Sequence, residues 1–185
     1  MGAEGGAMDA VQFRYYVALG SFLFYSTLVC LIRWFKVDAK ILSFSKDKKV
    51  RELAYEKNDK AKGLRLYMDS TLQSYVNGIL CMTMATYLAY LHRNWQTYTP
   101  SRLLFGEGEG AKEAQSPFLY LAIMSGYFAT DLIIELVSLR WDWGMILHHV
   151  ITLLNCLHNL KHEVFAFQFI WLALCECTTP FSNSR

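Results

Sequence analysis

Two neighbouring apolar segments decide the fold: residues 117–139 read PFLYLAIMSGYFATDLIIELVSL, and residues 142–160 read DWGMILHHVITLLNCLHNL. Each is long enough to cross the hydrocarbon core of a bilayer, which takes about 20 helical residues. Each also carries ionisable side chains within its apolar run: Asp131, Glu135, His148 and His149. A charged group near the centre of a bilayer is costly, so such residues normally face protein or a water-filled cavity and are functional candidates.

The composition of the whole chain favours a multi-pass membrane protein. Of its 185 residues, 54% are hydrophobic and 15% are aromatic, and the mean hydropathy is +0.18. Ordinary soluble domains are less apolar than this. The sequence therefore predicts an all-α fold, a transmembrane helical bundle of about five helices. The expected spans are residues 11–35, 67–91, 117–139, 142–160 and 163–181.

One long polar loop, residues 36–66, sets the expected orientation of the chain. Between Arg33 and Arg65 there are eleven Lys or Arg residues against five Asp or Glu residues. Because loops rich in Lys and Arg stay in the cytosol, we expect this loop to be cytosolic and the tail of residues 1–10 to be lumenal. The loop is interpreted as a solvated linker with a helix around residues 50–62, with contact to lipid headgroups as the alternative.

The short connector between the two apolar segments predicts an antiparallel helical hairpin. At about 1.5 Å per residue from their shared boundary, Asp131 and His148 lie at similar depths of roughly 12 Å and 9 Å. Spacings of three and four residues predict one polar stripe on each helix, with His149 pointing about 100° away from the stripe of its own helix. The stripes are Tyr127, Asp131, Glu135 and Ser138 on the first helix, and His148, Thr152, Asn155 and Asn159 on the second.

Polar residues of two other expected spans fall at a similar depth. Gln73, in the polar opening of the second span, lies roughly 9 Å from the cytosolic face, and Glu176, in the fifth span, lies roughly 8 Å from it. Polar residues from several helices are most cheaply buried around a shared space. We therefore expect a polar cavity that opens towards the cytosol. Its expected lining is Gln73, Tyr127, Asp131, His148, Thr152, Asn155 and Glu176.

Three motifs carry a resemblance to a known family. They are Gly-Tyr-x-x-x-Asp at residues 126–131, the His-His pair at residues 148–149, and Glu-x-Thr-Thr-Pro-Phe-x-Asn at residues 176–183. Taken together, they resemble the TLC domain that TRAM, LAG1 and CLN8 relatives share. The resemblance begins near Ser70 and implies a TLC domain over residues 67–185, in a protein of the endoplasmic reticulum membrane.

The chain departs from the family pattern at two places. Gln73 stands where several relatives carry a histidine. TLC domains usually continue with further helices beyond the Pro-Phe-x-Asn element, whereas this sequence stops at Arg185. We therefore expect a partial domain, truncated at its C-terminal end.

The resemblance implies a role with membrane lipids, and three functions stay open. The first is membrane lipid homeostasis, sphingolipids included, through binding of a lipid or acyl chain in the polar cavity without any cofactor. The second resembles the ceramide synthases, with acyl-CoA as a substrate for N-acylation, His148 or His149 as the general base and Asp131 orienting the imidazole. The third is a cargo or trafficking factor of the secretory pathway, resembling the CLN8 branch.

Other observations weigh against some of these interpretations. The ceramide synthase branch carries a His-Asp-x-x-Asp element where residues 176–180 read Glu-Cys-Thr-Thr-Pro, so whether the protein is an enzyme stays open. His148 and Asp131 could also form a purely structural hydrogen bond, contributing about 0.6–2 kcal/mol. Adjacent histidines on a helix are poor joint ligands, so we expect no metal site. The expected partners are membrane lipids, a second copy of the chain or other membrane proteins, and not nucleic acid.

Overall fold

The part of the chain that the structure describes is entirely helical. The structure is a computed structural model that describes residues 10–44, 46, 48–53, 59–91, 115–137 and 142–162. Within these ranges there are six α-helices and no strand, which confirms the predicted all-α class. The helices are α1 (Ala10–Trp34), α2 (Val37–Ser43), α3 (Lys48–Leu53), α4 (Asp59–Leu91), α5 (Gln115–Val137) and α6 (Trp143–His162). The expected fifth span, residues 163–181, lies outside the described residues.

Helix α5 is the central element of the bundle, because it packs against α1, α4 and α6. In the most hydrophobic 18 residues of Pro117–Val137 in α5, 72% of the residues are buried. The corresponding share for Val11–Trp34 in α1 is 22%. Phe128 of α5, Leu88 of α4 and Leu160 of α6 belong to one core cluster, and all three are fully buried. The neighbouring helices α5 and α6 pack against each other, as the short connector between them predicts.

The closest approach between helices lies where α1 crosses α5 at Gly126. A Cβ atom added to Gly126 would lie 2.6 Å from Cβ of Ser21, and it would also collide with the backbone nitrogen of Phe22. The Ser21 hydroxyl donates a 2.7 Å hydrogen bond to the carbonyl of Ile123 across this contact. Small residues let helix backbones approach in this way where apolar burial alone gives little association. The glycine of the Gly-Tyr-x-x-x-Asp motif is therefore required for packing.

The outer face of α1 is apolar and fits a lipid environment. Large side chains on this helix are more than half exposed: Tyr16, Leu19, Leu23, Phe24 and Trp34. Soluble monomers rarely expose apolar surface on this scale. Two helices, Val11–Trp34 and Pro117–Val137, are long and apolar enough to span a membrane, with mean hydropathy of 1.7 and 1.5. An all-helical bundle of this kind is consistent with a membrane protein.

Helices α4 and α6 are more polar than α1 and α5, and some of their polar residues are buried. Asp69, Gln73 and Asn77 of α4 are buried, and so is His149 of α6. These buried polar residues serve contacts within the bundle. That these two helices also cross the membrane, giving about five spans, stays a prediction.

Candidate functional site

A histidine and a carboxylate join α6 to α5 inside the bundle. Nε2 of His149 lies 3.3 Å from Oδ2 of Asp131, and only 3% of the histidine side chain and 4% of the aspartate side chain are exposed. Burying an ionisable side chain is costly unless a hydrogen-bonded partner offsets the loss of water. The pair therefore satisfies two groups that α5 and α6 could not bury separately.

The structure corrects the predicted rotation of α6. His148 is exposed, whereas His149, which was expected to point away from the polar stripe, is the histidine that faces Asp131. The buried residues of α6 are Ile146, His149, Cys156, Asn159 and Leu160. The predicted stripe consists of polar residues, whereas most of the buried residues of α6 are apolar. Burial of these apolar side chains sets the rotation of the helix and turns His149 inwards.

The other residues expected on the polar stripe of α6 take different positions. Thr152 is half-buried and Asn155 is exposed. Asn159 is buried, and its Nδ2 donates a 2.9 Å hydrogen bond to Oδ1 of Asn155. Among the described residues, the exposed His148 makes a ring contact with His149, at 5.4 Å between centroids, and an edge contact with Phe128. That these residues line one cavity with Asp131 stays a prediction.

Tyr127 connects the histidine and carboxylate pair to α4. Its hydroxyl donates to Oδ2 of Asp131 at 3.4 Å and lies 3.0 Å from the hydroxyl of Ser74. The spacing of four residues between Tyr127 and Asp131 places both on one face of α5, as the sequence predicts. Gln73, Tyr127 and Asp131, all predicted to line the cavity, are buried. Glu176 lies outside the described residues.

Tyr25 of α1, for which the sequence gives no functional signal, adds further contacts to this group of polar residues. The hydroxyl of Tyr25 donates a 2.9 Å hydrogen bond to Oδ1 of Asn77 on α4. The ring of Tyr25 also meets the ring of Tyr127 edge-on, with 5.4 Å between centroids. All four long helices therefore contribute to one group of contacting residues, which we call the polar layer: Tyr25, Ser74, Asn77, Tyr127, Asp131 and His149.

Gln73 lies beside the polar layer on α4 and is fully buried. Neither its Oε1 nor its Nε2 has a hydrogen-bond partner among the residues that the structure describes. A buried polar group that is left unsatisfied costs about 1–3 kcal/mol, so native proteins rarely tolerate one without a reason. The side chain of Gln73 thus offers one donor group and one acceptor group to a partner outside the described ranges.

A second buried carboxylate is held near the end of α1. Nε of Arg33 lies 2.7 Å from Oδ2 of Asp69, whose side chain is fully buried, while 48% of the arginine side chain stays exposed. In the sequence, Arg33 belongs to the basic residues that flank the polar loop, and no local pattern pairs it with α4. The sequence signal for this pair is Asp69 itself, because a carboxylate inside an expected span, one turn before Gln73, requires a basic or polar partner.

The geometry gives His149 a defined chemical capacity. Its Nε2 is directed at Asp131, and its buried Nδ1 has no hydrogen-bond partner within the described part of the chain. A carboxylate on one ring nitrogen fixes the orientation of the imidazole and leaves the other nitrogen to bind or deprotonate an incoming group. Residues 10–162, where described, contain no group of three or more His, Cys, Asp or Glu residues that could hold a metal ion.

The comparison with known families takes in this region. Residues 68–185, well over half of the chain, match the family model described as TLC domain, TRAM_LAG1_CLN8. The matched part contains every residue of the polar layer except Tyr25. No characterised protein and no solved structure matches the chain. Since the match takes in α5, α6 and most of α4, the chain belongs to the TRAM_LAG1_CLN8 family of TLC domains.

Proposed function

We propose that this membrane protein takes part in lipid homeostasis by binding the polar part of a membrane lipid beside His149 and Gln73. The TLC domain indicates a membrane protein of lipid metabolism or lipid sensing. The observation that carries the finer proposal is that Nδ1 of His149 and both polar atoms of the Gln73 amide are buried without a hydrogen-bond partner among the described residues. Both lie in or beside the polar layer, where α4, α5 and α6 meet.

The two side chains together favour a particular kind of ligand. The primary amide of Gln73 both donates and accepts, so it complements an amide, a hydroxyl or an ester on the ligand. With Nε2 on Asp131, Nδ1 of His149 complements a hydroxyl or an amine. A lipid with hydroxyl, amine or amide groups close to its acyl chains, as in sphingolipids, offers these partners. Its acyl chains would stay in the surrounding hydrocarbon, which the apolar outer faces of the helices fit.

The ceramide synthase-like alternative would use the same geometry differently. In an N-acyl transfer from acyl-CoA, His149 would take the proton of the attacking amine, while Asp131 held the imidazole in place. His149 suits this role better than His148, because His148 is exposed and makes no polar contact with Asp131 among the described residues. However, the acidic pair of the ceramide synthase branch is replaced at residues 176–180, so we favour binding over catalysis. No specific observation favours a trafficking role.

We also propose the cellular location, the membrane orientation and the partners of the protein. We place it in the endoplasmic reticulum, with the tail of residues 1–10 in the lumen and the loop of residues 36–66 in the cytosol. Within the family, which its motifs at residues 126–131, 148–149 and 176–183 resemble, we propose that it belongs to the branch of TLC domain-containing protein 4. The proposed partners are membrane lipids and a second copy of the chain or other membrane proteins.

Lipid co-purification tests the binding proposal. The full chain is expressed in cells, purified in a mild detergent, and its bound lipids are identified by mass spectrometry. The variants are His149→Ala and Gln73→Leu, and His148→Ala is the matched control because it changes the neighbouring exposed histidine. We expect one lipid class, enriched over the bulk membrane, to be lost from both test variants and retained by the control.

Two outcomes would contradict the proposal. One is a wild-type protein whose bound lipids merely reproduce the composition of the membrane. The other is a specific lipid that His149→Ala and Gln73→Leu both retain while remaining folded, as judged by size-exclusion chromatography. The acyltransferase alternative is tested on the same samples, since it requires acyl-CoA-dependent amide formation that His149→Ala abolishes.

A further inference from the structure

We propose that the end of α1 and the outer side of α2 form a binding surface for the headgroups of anionic phospholipids in the adjoining membrane leaflet. We call this surface the basal platform and define it by exposed residues of the segment that runs from the end of α1 to just beyond α2: Trp34, Phe35, Lys36, Lys40, Ile41, Phe44 and Lys46. It lies outside the polar layer, and the proposal does not depend on the one made for His149 and Gln73. It rests on the way α2 is held, on exposed aromatic side chains and on exposed charge.

The backbone holds α2 against the bundle in one orientation. Lys36 adopts the left-handed conformation, with φ of 52°, and ends the continuous helix before α2 begins. The new helix packs on both α1 and α4, with Asp38, Ala39 and Leu42 buried. The opposite side of α2 therefore faces outwards, and it carries Lys40 and Ile41.

The exposed apolar side chains of the basal platform need a surrounding other than water. The exposed fraction is 81% for Trp34, 60% for Phe35 and 87% for Phe44. Three large aromatic side chains so close along the chain are unfavourable at a water-filled surface. Aromatic residues of this kind are typical of the boundary between hydrocarbon and headgroups, where tryptophan is enriched.

The exposed charge of the same surface is positive. Lys36, Lys40 and Lys46 are all exposed, whereas Asp38, the one acidic residue of the sequence from 34 to 46, is 4% exposed. Ammonium groups cannot lie in the hydrocarbon core, so the lysines and the aromatic side chains together fit only the headgroup layer. Phosphate and carboxylate groups of anionic phospholipids complement three lysines, whereas a zwitterionic headgroup gives little net attraction. The geometry therefore favours anionic over zwitterionic headgroups.

A titration of the full chain in detergent with short-chain lipids tests this inference. Dioctanoyl phosphatidylserine and dioctanoyl phosphatidylcholine serve as the anionic and zwitterionic probes, and binding is followed by native mass spectrometry. The test variant combines Lys36→Asn, Lys40→Ser and Lys46→Ser, because asparagine tolerates the left-handed conformation that residue 36 adopts. Lys161→Ser, an exposed lysine near the end of α6, is the control.

The wild type and the control are expected to bind the serine lipid more tightly than the choline lipid. Each lysine near an anionic surface strengthens binding about fivefold. In the triple variant, the ratio of the affinity for the serine lipid to that for the choline lipid should therefore fall by at least about tenfold. High salt should weaken the wild-type preference, because exposed charges are screened. A triple variant that keeps the full preference would overturn the inference, and so would a Lys161→Ser control that loses it to the same extent. The basal platform shares no residue with the polar layer, so this result is independent of the proposed function.

Discussion

Replacing Gly126 by alanine should force α1 away from α5 and destabilise the bundle. The added carbon would lie 2.6 Å from Cβ of Ser21 and still closer to the backbone nitrogen of Phe22, whereas ordinary van der Waals contact begins at 3.4 Å, so the helices must separate by at least about 0.8 Å. The obstacle includes the backbone of α1 at Phe22, which cannot rotate away as a side chain could. The separation also strains the 2.7 Å hydrogen bond from Ser21 to the carbonyl of Ile123.

The magnitude follows from three contributions. Overpacking of a tight contact typically costs about 1–3 kcal/mol. Weakening an interhelical hydrogen bond in a membrane protein costs about 0.6–2 kcal/mol. The gain from replacing glycine by alanine within a helix offsets about 1 kcal/mol. We therefore expect the free energy of unfolding of Gly126→Ala to fall by about 2 kcal/mol.

Equilibrium unfolding in mixed micelles, followed by tryptophan fluorescence as the fraction of sodium dodecyl sulfate rises, measures this change. Gly20→Ala is the matched control, because Gly20 also lies in a membrane helix but a Cβ there meets nothing within 4 Å. The control should be neutral or slightly stabilised by the gain in helix propensity. If Gly126→Ala were as stable as Gly20→Ala, the close crossing of α1 and α5 would be refuted.

Three further predictions concern hydrogen bonds and use the same unfolding assay. Tyr127→Phe removes a buried hydroxyl that contacts Ser74 of α4 and Asp131 of α5, and should lower the free energy of unfolding by about 1–2 kcal/mol. An unchanged free energy of unfolding would contradict these contacts in the polar layer. Arg33→Gln should destabilise more than Asp69→Asn, since it leaves a buried carboxylate without the guanidinium that contacts it, whereas a half-exposed arginine stays solvated. The reverse order would show that the buried carboxylate does not need Arg33. Asp142→Ala removes an oxygen that accepts from the amides of Gly144 and Met145 at the start of α6, and should cost about 1 kcal/mol, whereas Asp142→Asn should be nearly neutral.

The sequence was sufficient for the class of fold and for much of the pairing between α5 and α6. Long apolar runs require helices in a bilayer, and a short connector makes consecutive helices neighbours. A buried carboxylate within such a run needs polar surroundings, and the similar depths of Asp131 and the histidines of α6 favoured those histidines as its neighbours. These inferences depend on the local pattern of apolar and polar residues and on the high cost of placing polar groups in hydrocarbon.

Which histidine meets Asp131 could not be deduced in the same way. On α6 a polar stripe through His148 and a mostly apolar stripe through His149 lie about 100° apart, and each could be buried. The packing of α6 against the apolar side of α5 decides between them, and that packing depends on residues far apart in the sequence. The hydrogen bond between Tyr25 and Asn77, which lie 52 positions apart, was hidden for the same reason. One tyrosine among many aromatic residues of α1 carries no local signal of its partner.

The central claim is that His149, and not His148, pairs with Asp131 in the buried polar layer. A double-mutant cycle tests it most directly, with His149→Ala, Asp131→Asn and the double variant compared by their free energies of unfolding. A second cycle with His148→Ala in place of His149→Ala is the control. We expect a coupling energy of about 0.6–1.7 kcal/mol for His149 with Asp131, and a value near zero for His148 with Asp131. Coupling of Asp131 to His148 but not to His149 would contradict the account.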